Sequence, residues 1–170
     1  AKDVLKTCLA MGCDNGILVS DEAFEGSDAR ATATVLAAAI KRIGDASLVF
    51  FGKQAIDGDT GLVPLSVARL LDWTPLSYVF EISELDTVER EIKVTRLVEE
   101  GKQICSAKIP AVISVVKDIN EPRYPTFIGI RKASKADYTV WNAADLGISE
   151  AQVGKSAASV LWNNIATLPT

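Results

Sequence analysis

Two adjoining stretches decide the fold: the apolar run Ser47-Leu48-Val49-Phe50-Phe51 and the segment Gly52-Lys53-Gln54-Ala55-Ile56-Asp57-Gly58-Asp59-Thr60-Gly61-Leu62-Val63. The continuous apolar run predicts a strand of a parallel sheet that is covered on both faces. The glycine- and aspartate-rich segment leads into a helix that we expect over about residues 62–71. A strand, a loop and a helix in this order predict an α/β fold with right-handed crossovers.

The sequence before this stretch continues the alternation of helix and strand. The spacing of Val4, Leu5, Cys8 and Leu9 predicts an opening helix that ends at Gly12. A short strand is expected at residues 16–19, and an alanine-rich helix at residues 29–44. An α/β domain normally begins with a strand, so we expect the N-terminal part of the domain to be missing from this sequence.

The sequence after the helix predicts a different pattern. Residues 76–83, 87–98 and 103–108 are expected to be strands, with turns at 84–86 and 99–101. β-branched residues are frequent in 87–98, and the three segments predict an antiparallel hairpin inserted beside the sheet. We expect a buried strand at residues 111–116, a loop at 120–130 and a last short strand at 138–141. The predicted fold is therefore a Rossmann-like, three-layer parallel sheet with the inserted antiparallel hairpin. It occupies residues 1–146, and residues 147–170 form a C-terminal arm that leaves the domain.

Composition narrows the function. The net charge is −4 and no long basic patch is present, which disfavours nucleic acid as a partner. The chain has no histidine, which disfavours hydrolytic triads and most zinc chemistry. No apolar run reaches the ~18 residues needed to span a bilayer, so we expect no membrane insertion. Three cysteines without a CxxC spacing indicate buried thiols in a reducing compartment.

Residues 52–63 are the first candidate site, because ligands of open α/β sheets bind at the carboxyl ends of the strands. Gly58 and Gly61 permit positive φ, and Thr60 can cap the next helix, whose first amides attract an anion. Asp57 and Asp59 are expected to bind their own loop backbone or a ribose hydroxyl. The spacing matches neither a Walker A loop nor GxGxxG. A βα connection without a ligand is the alternative.

The second candidate is a docking segment for another protein. It comprises Arg123, Tyr124, Pro125, Thr126, Phe127, Ile128, Gly129, Ile130, Arg131 and Lys132. Phe127 and Ile128 are large apolar residues flanked by charge, and if exposed they form a small anchor for a partner. The alternative is that both side chains fold back onto the core.

The sequence resembles the beta subunit of electron transfer flavoproteins. The resemblance rests on five motifs in order: Ala10-Met11-Gly12-Cys13-Asp14, residues 52–61, Leu71-Asp72-Trp73, Pro110-Ala111-Val112 and Asn120-Glu121-Pro122-Arg123-Tyr124-Pro125. It covers roughly residues 1–147, and residues 52–61 and 120–125 are its long and specific parts.

The resemblance implies a fold of the adenine-nucleotide-alpha-hydrolase-like type, a cofactor site and partners. It implies that Gly52, Lys53, Gln54, Ala55, Ile56, Asp57, Gly58, Asp59, Thr60, Gly61, Leu62 and Val63 bind AMP, or a second FAD in electron-bifurcating members. It implies pairing with an FAD-carrying alpha subunit, and electron transfer from acyl-CoA or other flavin dehydrogenases to a quinone reductase or ferredoxin. The docking segment is then the recognition loop for the dehydrogenase, with Phe127 where a leucine commonly stands. The C-terminal arm would wrap the partner subunit.

The resemblance leaves one contact with the alpha subunit and two alternative functions undecided. Leu97 stands where some members place a glutamate that contacts the alpha subunit near its flavin, so Glu99 would have to supply that contact. The alternatives are a subunit of an electron-bifurcating complex, and a nucleotide-binding module of the universal-stress type. The chain is expected to act as a carrier subunit rather than as a catalyst, in the cytoplasm or, in a eukaryote, the mitochondrial matrix.

Overall fold

The computed structural model describes residues 1–56 and 58–161. Five helices and seven strands make up this part of the chain. In order they are α1 (Lys2–Ala10), β1 (Ile17–Val19), α2 (Ala29–Ile43), β2 (Leu48–Gly52), α3 (Leu62–Leu71), β3 (Thr74–Asp86), β4 (Glu91–Val98), β5 (Gly101–Lys108), β6 (Ala111–Val115), α4 (Phe127–Lys135), β7 (Thr139–Trp141) and α5 (Gly154–Ala157).

The main sheet has five strands in the order β2-β6-β3-β4-β5. β6 pairs in parallel with β2 and with the first half of β3, whereas β4 pairs antiparallel with β3 and β5. β1 and β7 pair in parallel as a second, two-stranded sheet. The α/β class, the parallel strand pairs and the antiparallel hairpin are thus confirmed. The hairpin shares β3 with the parallel strands and so continues their sheet.

Apolar packing on the two faces of the main sheet holds the elements together. On one face Val112 of β6 packs with Val67 and Ala68 of α3 and Ala33 of α2. On the other face Val79, Ile92 and Ile113 form a completely buried cluster with neighbouring strand residues. The parallel pair β2 and β6 is therefore fixed against α2 and α3, which places the loop between β2 and α3 at the carboxyl edge.

The ends of α2 follow the local sequence signals. The Asp28 carboxylate accepts a hydrogen bond from the Ala31 amide at 2.9 Å and caps the N-terminus. Gly44 ends the helix at φ 88°, a conformation that glycine adopts without strain.

Three expectations about the sheet and the thiols were wrong. β2 lies at an edge of the main sheet in the described part of the chain, and Phe50 is 52% exposed. The strand is therefore covered only in part, with Leu48 packed on one face and Val49 and Phe51 on the other. The first hairpin turn falls at residues 87–90 instead of 84–86, because the Asp86 carboxylate accepts from the amides of Val88 and Glu89. Cys13 is exposed rather than buried.

The segment expected to leave the domain packs back onto it as far as the structure describes it. Val153 is fully buried, and the Lys155 amide donates to the Glu25 carbonyl at 3.0 Å. Gly154 lies so close to Ala23 that a Cβ would clash with the Ala23 carbonyl oxygen. The amides of Ser159 and Val160 donate to Asp28. The remainder of the predicted arm, residues 162–170, lies outside the described residues.

Within the described chain, no helix combines the length and the hydrophobicity that a bilayer crossing requires.

Candidate functional site

The loop over residues 52–63 follows β2 and leads directly into α3. β2 and β6 are parallel, so their carboxyl ends share the edge of the sheet from which this loop emerges. Gly52 is the last residue of β2, and a Cβ at this position would meet open space. The loop therefore occupies the position where α/β sheets bind ligands.

The N-terminus of α3 differs in detail from the expectation. The cap residue is Gly61, at φ 61°, rather than Thr60. Thr60 still assists, because its Oγ1 accepts a long hydrogen bond of 3.4 Å from the Leu62 amide. The third helical residue is Pro64, which has no N–H. The backbone donors at this end are thus limited to the amides of Gly61, Leu62 and Val63.

Of the two loop aspartates, the structure describes Asp59. The Asp59 carboxylate accepts a hydrogen bond from the Gln54 side chain, and the Asp59 amide donates to the Ala55 carbonyl at 3.0 Å. The Asp59 carboxylate is therefore engaged by a side chain of the loop, and not by the loop backbone as expected. Asp57 lies outside the described residues.

Lys53 brings a positive charge to the base of the loop. Its Nζ lies 5.6 Å from the centroid of the Tyr78 ring, within the range of a cation–π contact. The Lys53 carbonyl oxygen lies 3.5 Å from the position that a Cβ on Gly61 would take. Lys53, Gly61 and Tyr78 are therefore neighbours at the start of α3.

Sequence reasoning missed Tyr78. The residue lies in the middle of β3, where an aromatic side chain is ordinary, and nothing local in the sequence marks it as part of the loop. Only the strand order, which places β3 next to β6, brings it to the loop.

The residues present fit the phosphate end of an adenine nucleotide. A phosphate at the start of α3 would meet the amides of residues 61–63 and the Lys53 ammonium. Ile56 is fully exposed on the same loop and offers an apolar surface for a base. A nucleotide bound here would stabilise the loop through its contacts. Where the nucleotide is FAD, it would supply a flavin redox centre.

The docking segment is half loop and half helix, whereas a loop was expected. Residues 120–126 are irregular, and α4 begins at Phe127 because the Thr126 hydroxyl accepts from the Gly129 amide at 3.0 Å. Tyr124 and Phe127 are each 93% exposed, and Ile128 is 82% exposed. The structure thus rejects the alternative in which Phe127 and Ile128 fold back onto the core.

α4, which carries residues 127–132 of the docking segment, packs against α1. A Cβ on Gly129 would clash with the Ala10 carbonyl oxygen, so the two backbones approach closely at this point. A cleft of about 380 Å³ lies beside the contact, lined by residues 9–14 and by docking residues such as Arg123, Tyr124 and Lys132. The loop over residues 52–63 does not line this cleft, so the structure does not combine the two candidate sites there.

The residues considered for contact with the alpha subunit lie at the far end of β4. Leu97 is half-buried opposite Lys102 of β5, and Glu99 is exposed in the following turn. The neighbouring Arg96 is fixed on β3, since its guanidinium donates to the Ser77 carbonyl at 2.7 Å and the Ser77 hydroxyl at 2.8 Å.

Comparison with known proteins gives consistent relatives. The family model of the electron transfer flavoprotein domain matches residues 1–146. The chain is 39% identical to the caffeyl-CoA reductase-Etf complex subunit CarD of Acetobacterium woodii, over 93% of this chain and 59% of that protein. It is 38% identical to protein FixA of Azotobacter vinelandii, over 90% of this chain and 56% of that protein. It is 38% identical to the electron transfer flavoprotein subunit beta of Megasphaera elsdenii, over 99% of this chain and 64% of that protein.

The chain thus spans between about half and two thirds of the length of these curated relatives. The matches favour a flavoprotein over the alternative of a universal-stress module. Because the family model covers 146 of the 170 residues, this chain belongs to the electron transfer flavoprotein domain family.

Proposed function

We propose that the chain is the nucleotide-binding part of an electron transfer flavoprotein beta subunit. It pairs with an FAD-carrying alpha subunit in the cytoplasm and passes electrons from flavin dehydrogenases, such as acyl-CoA dehydrogenases, to a quinone reductase or ferredoxin. The family membership supports the class. The observation that carries the site is the Gly61 cap of α3 beside Lys53 at the carboxyl edge of the sheet.

The proposed role asks this chain for binding rather than for bond-breaking chemistry. Gly52, Lys53 and the first amides of α3 hold the phosphate end of an adenine nucleotide. The exposed anchor formed by Tyr124, Phe127 and Ile128 docks the dehydrogenase. The FAD of the alpha subunit supplies the electron-transfer chemistry when it is bound.

A subunit of an electron-bifurcating complex is the second candidate. It is favoured by the 39% identity to a subunit of the caffeyl-CoA reductase-Etf complex. In this role a second, redox-active FAD occupies the loop over residues 52–63 instead of AMP.

The bound nucleotide separates the two candidates. The complete protein, purified with its alpha subunit, is denatured by heat, and the released nucleotides are identified by chromatography and mass spectrometry. AMP together with one FAD per heterodimer establishes the simple carrier, and two FAD establish the bifurcating subunit. A stable, colourless monomer without an alpha subunit would refute both.

A further inference from the structure

Tyr78 has a backbone conformation that is unusual for its residue type. Its φ is +57°, in the left-handed region that glycine and asparagine favour and that bulky residues rarely occupy. It lies inside a strand, where neighbouring residues are extended. Strained residues of this kind persist only where the surrounding structure enforces them, and they cluster at functional sites.

A β-bulge explains how the strand accommodates Tyr78. Leu76 of β3 is opposite Ile113 of β6, and Val79 is opposite Val115, so β3 carries one more residue than β6 across this interval. The Tyr78 amide therefore leaves the backbone ladder and donates to the buried Ser114 hydroxyl at 3.2 Å. A bulge re-aims the side chain of the bulged residue, here toward the loop over residues 52–63.

The side chain of Tyr78 reaches the start of α3. Its hydroxyl oxygen lies 3.8 Å from the position that a Cβ on Gly61 would take. Its ring lies under the Lys53 ammonium, with 5.6 Å between Nζ and the ring centroid. The side chain is 38% exposed, so it lines the loop without being sealed beneath it.

The N-terminus of α3 offers an anion fewer backbone donors than an ordinary helix does. Pro64 removes one of the amides that an ordinary helix offers to an anion, and the Leu62 amide is shared with Thr60. A phosphate at this helix end thus depends on side-chain donors more than usual. Among the described residues, the Tyr78 hydroxyl lies beside Gly61 and the Lys53 ammonium lies over the Tyr78 ring, so both side chains can donate near this helix end. The Gln54 side chain also approaches Gly61, but its amide donates to Asp59.

We propose that Tyr78 is a nucleotide-binding residue of this chain: its hydroxyl donates a hydrogen bond to the 5′-phosphate of a bound adenosine phosphate, and its ring holds the Lys53 ammonium beside the same phosphate. The inference rests on the proposed nucleotide site. It applies equally to AMP and to the adenosine phosphate moiety of FAD, because both carry this phosphate.

The test compares a ligand that has the phosphate with one that lacks it. The complete protein, purified with its alpha subunit and stripped of the nucleotide in this loop, is titrated with AMP and separately with adenosine by calorimetry. The variants are Tyr78→Phe, which removes only the hydroxyl, and Tyr78→Asn, which also removes the ring. Arg90→Asn is the matched control, since Arg90 has a φ of 54° in the hairpin turn.

Tyr78→Phe should lower the affinity for AMP about tenfold, as expected for a hydrogen bond to a charged acceptor. It should leave the affinity for adenosine and the Tm unchanged. Tyr78→Asn should lower the affinity for AMP further, because Lys53 loses its ring contact. Arg90→Asn should bind AMP as the wild-type protein does.

Two results would overturn the inference while leaving the nucleotide site standing: an unchanged AMP affinity in Tyr78→Phe, or an equal loss for AMP and adenosine. A wild-type protein that binds neither ligand would refute the proposed function itself, and the role of Tyr78 with it.

Discussion

At the scale of single residues, the buried hydroxyl of Ser114 holds the backbone of Tyr78 at the candidate nucleotide site. Ser114 lies on β6, an interior strand of the sheet, and is 3% exposed. Its hydroxyl oxygen accepts a hydrogen bond from the Tyr78 amide at 3.2 Å. That amide has left the sheet ladder at the bulge, so Ser114 supplies its acceptor. The position of Tyr78 beside the loop over residues 52–63 therefore depends on the buried Ser114 hydroxyl.

Ser114→Ala should destabilise the fold by about 1 kcal/mol, because the Tyr78 amide loses the acceptor of a part-buried hydrogen bond. Urea unfolding of the variant measures the change in the free energy of unfolding. Ser106→Ala, at an exposed position of β5, is the control and should be near neutral. A Ser114→Ala protein as stable as the control would show that the hydroxyl is not needed.

Phe127→Ala should weaken the binding of the dehydrogenase by about 2 kcal/mol or more, as truncation of a hot-spot residue does. Electron transfer from the dehydrogenase should slow accordingly. The Phe127 side chain is 93% exposed, so folding stability and nucleotide content should not change. The measurement is the second-order rate of flavin reduction by the dehydrogenase. Val88→Ala, at an exposed apolar residue of the hairpin turn, is the matched control. Equal rates for Phe127→Ala and the wild-type protein would rule out the anchor.

At the scale of elements, the docking surface depends on a helix pair. α4 carries Phe127, Ile128 and Ile130, and it packs on α1 where Gly129 meets the Ala10 carbonyl. The orientation of the exposed anchor is thus set by a contact between two backbones.

Gly129→Ala should push α4 away from α1, because the new methyl group meets backbone that cannot yield. Overpacking of this kind typically destabilises by about 1–3 kcal/mol. Thermal unfolding should show a lower Tm, and the dehydrogenase rate should fall even though Phe127 is intact. Ser134→Ala, at an exposed position of the same helix, should change neither quantity. Normal docking by Gly129→Ala would contradict the role of the helix contact.

A second element contact holds residues 159–160 on α2. One carboxylate oxygen of Asp28 accepts from Ala31, and the other accepts from Ser159 and Val160 at 2.7 and 3.1 Å. Burial raises the pKa of Asp28, but hydrogen bonds from the amides of Ala31, Ser159, Val160 and Arg30 outweigh it, so the pKa lies below its usual 3.8.

A carboxyl group whose pKa is lowered by folding stabilises the fold above its ordinary pKa, and this contribution is lost as the pH falls through the lowered value. Asp28→Asn should therefore speed hydrogen exchange at residues 159–160 about three- to tenfold at pH 7, because the amide nitrogen cannot accept from Ser159. The stability difference from the wild-type protein should stay constant above pH 3.8 and shrink below it. Asp45→Asn, at an exposed site, is the control. Unchanged exchange in Asp28→Asn would show that the segment is held elsewhere.

At the scale of the whole molecule, the sequence predicted what depends on local signals. The apolar runs of β2 and β6 and the end of α2 at Gly44 are each encoded within a few residues. The features it missed depend on distant partners. Tyr78 is set by Ser114, 36 residues later, and residues 159–160 by Asp28, more than 130 residues earlier. The prolines at 122 and 125 suggest a loop over residues 120–130, whereas α4 begins at Phe127 and packs on α1 at Gly129.

The central claim, that residues 52–63 hold an adenine nucleotide, is tested most directly by nucleotide occupancy in the wild-type heterodimer and in Gly61→Val. A β-branched residue cannot adopt φ 61° without strain, and its side chain would approach the Lys53 carbonyl and the Tyr78 hydroxyl. Gly44→Val is the control, with a comparable strain at the far end of α2. We predict one adenine nucleotide per wild-type chain in addition to the FAD of the alpha subunit, a sharp loss in Gly61→Val and retention in Gly44→Val. A wild-type protein without this nucleotide, or a Gly61→Val protein that retains it in full, would contradict the account.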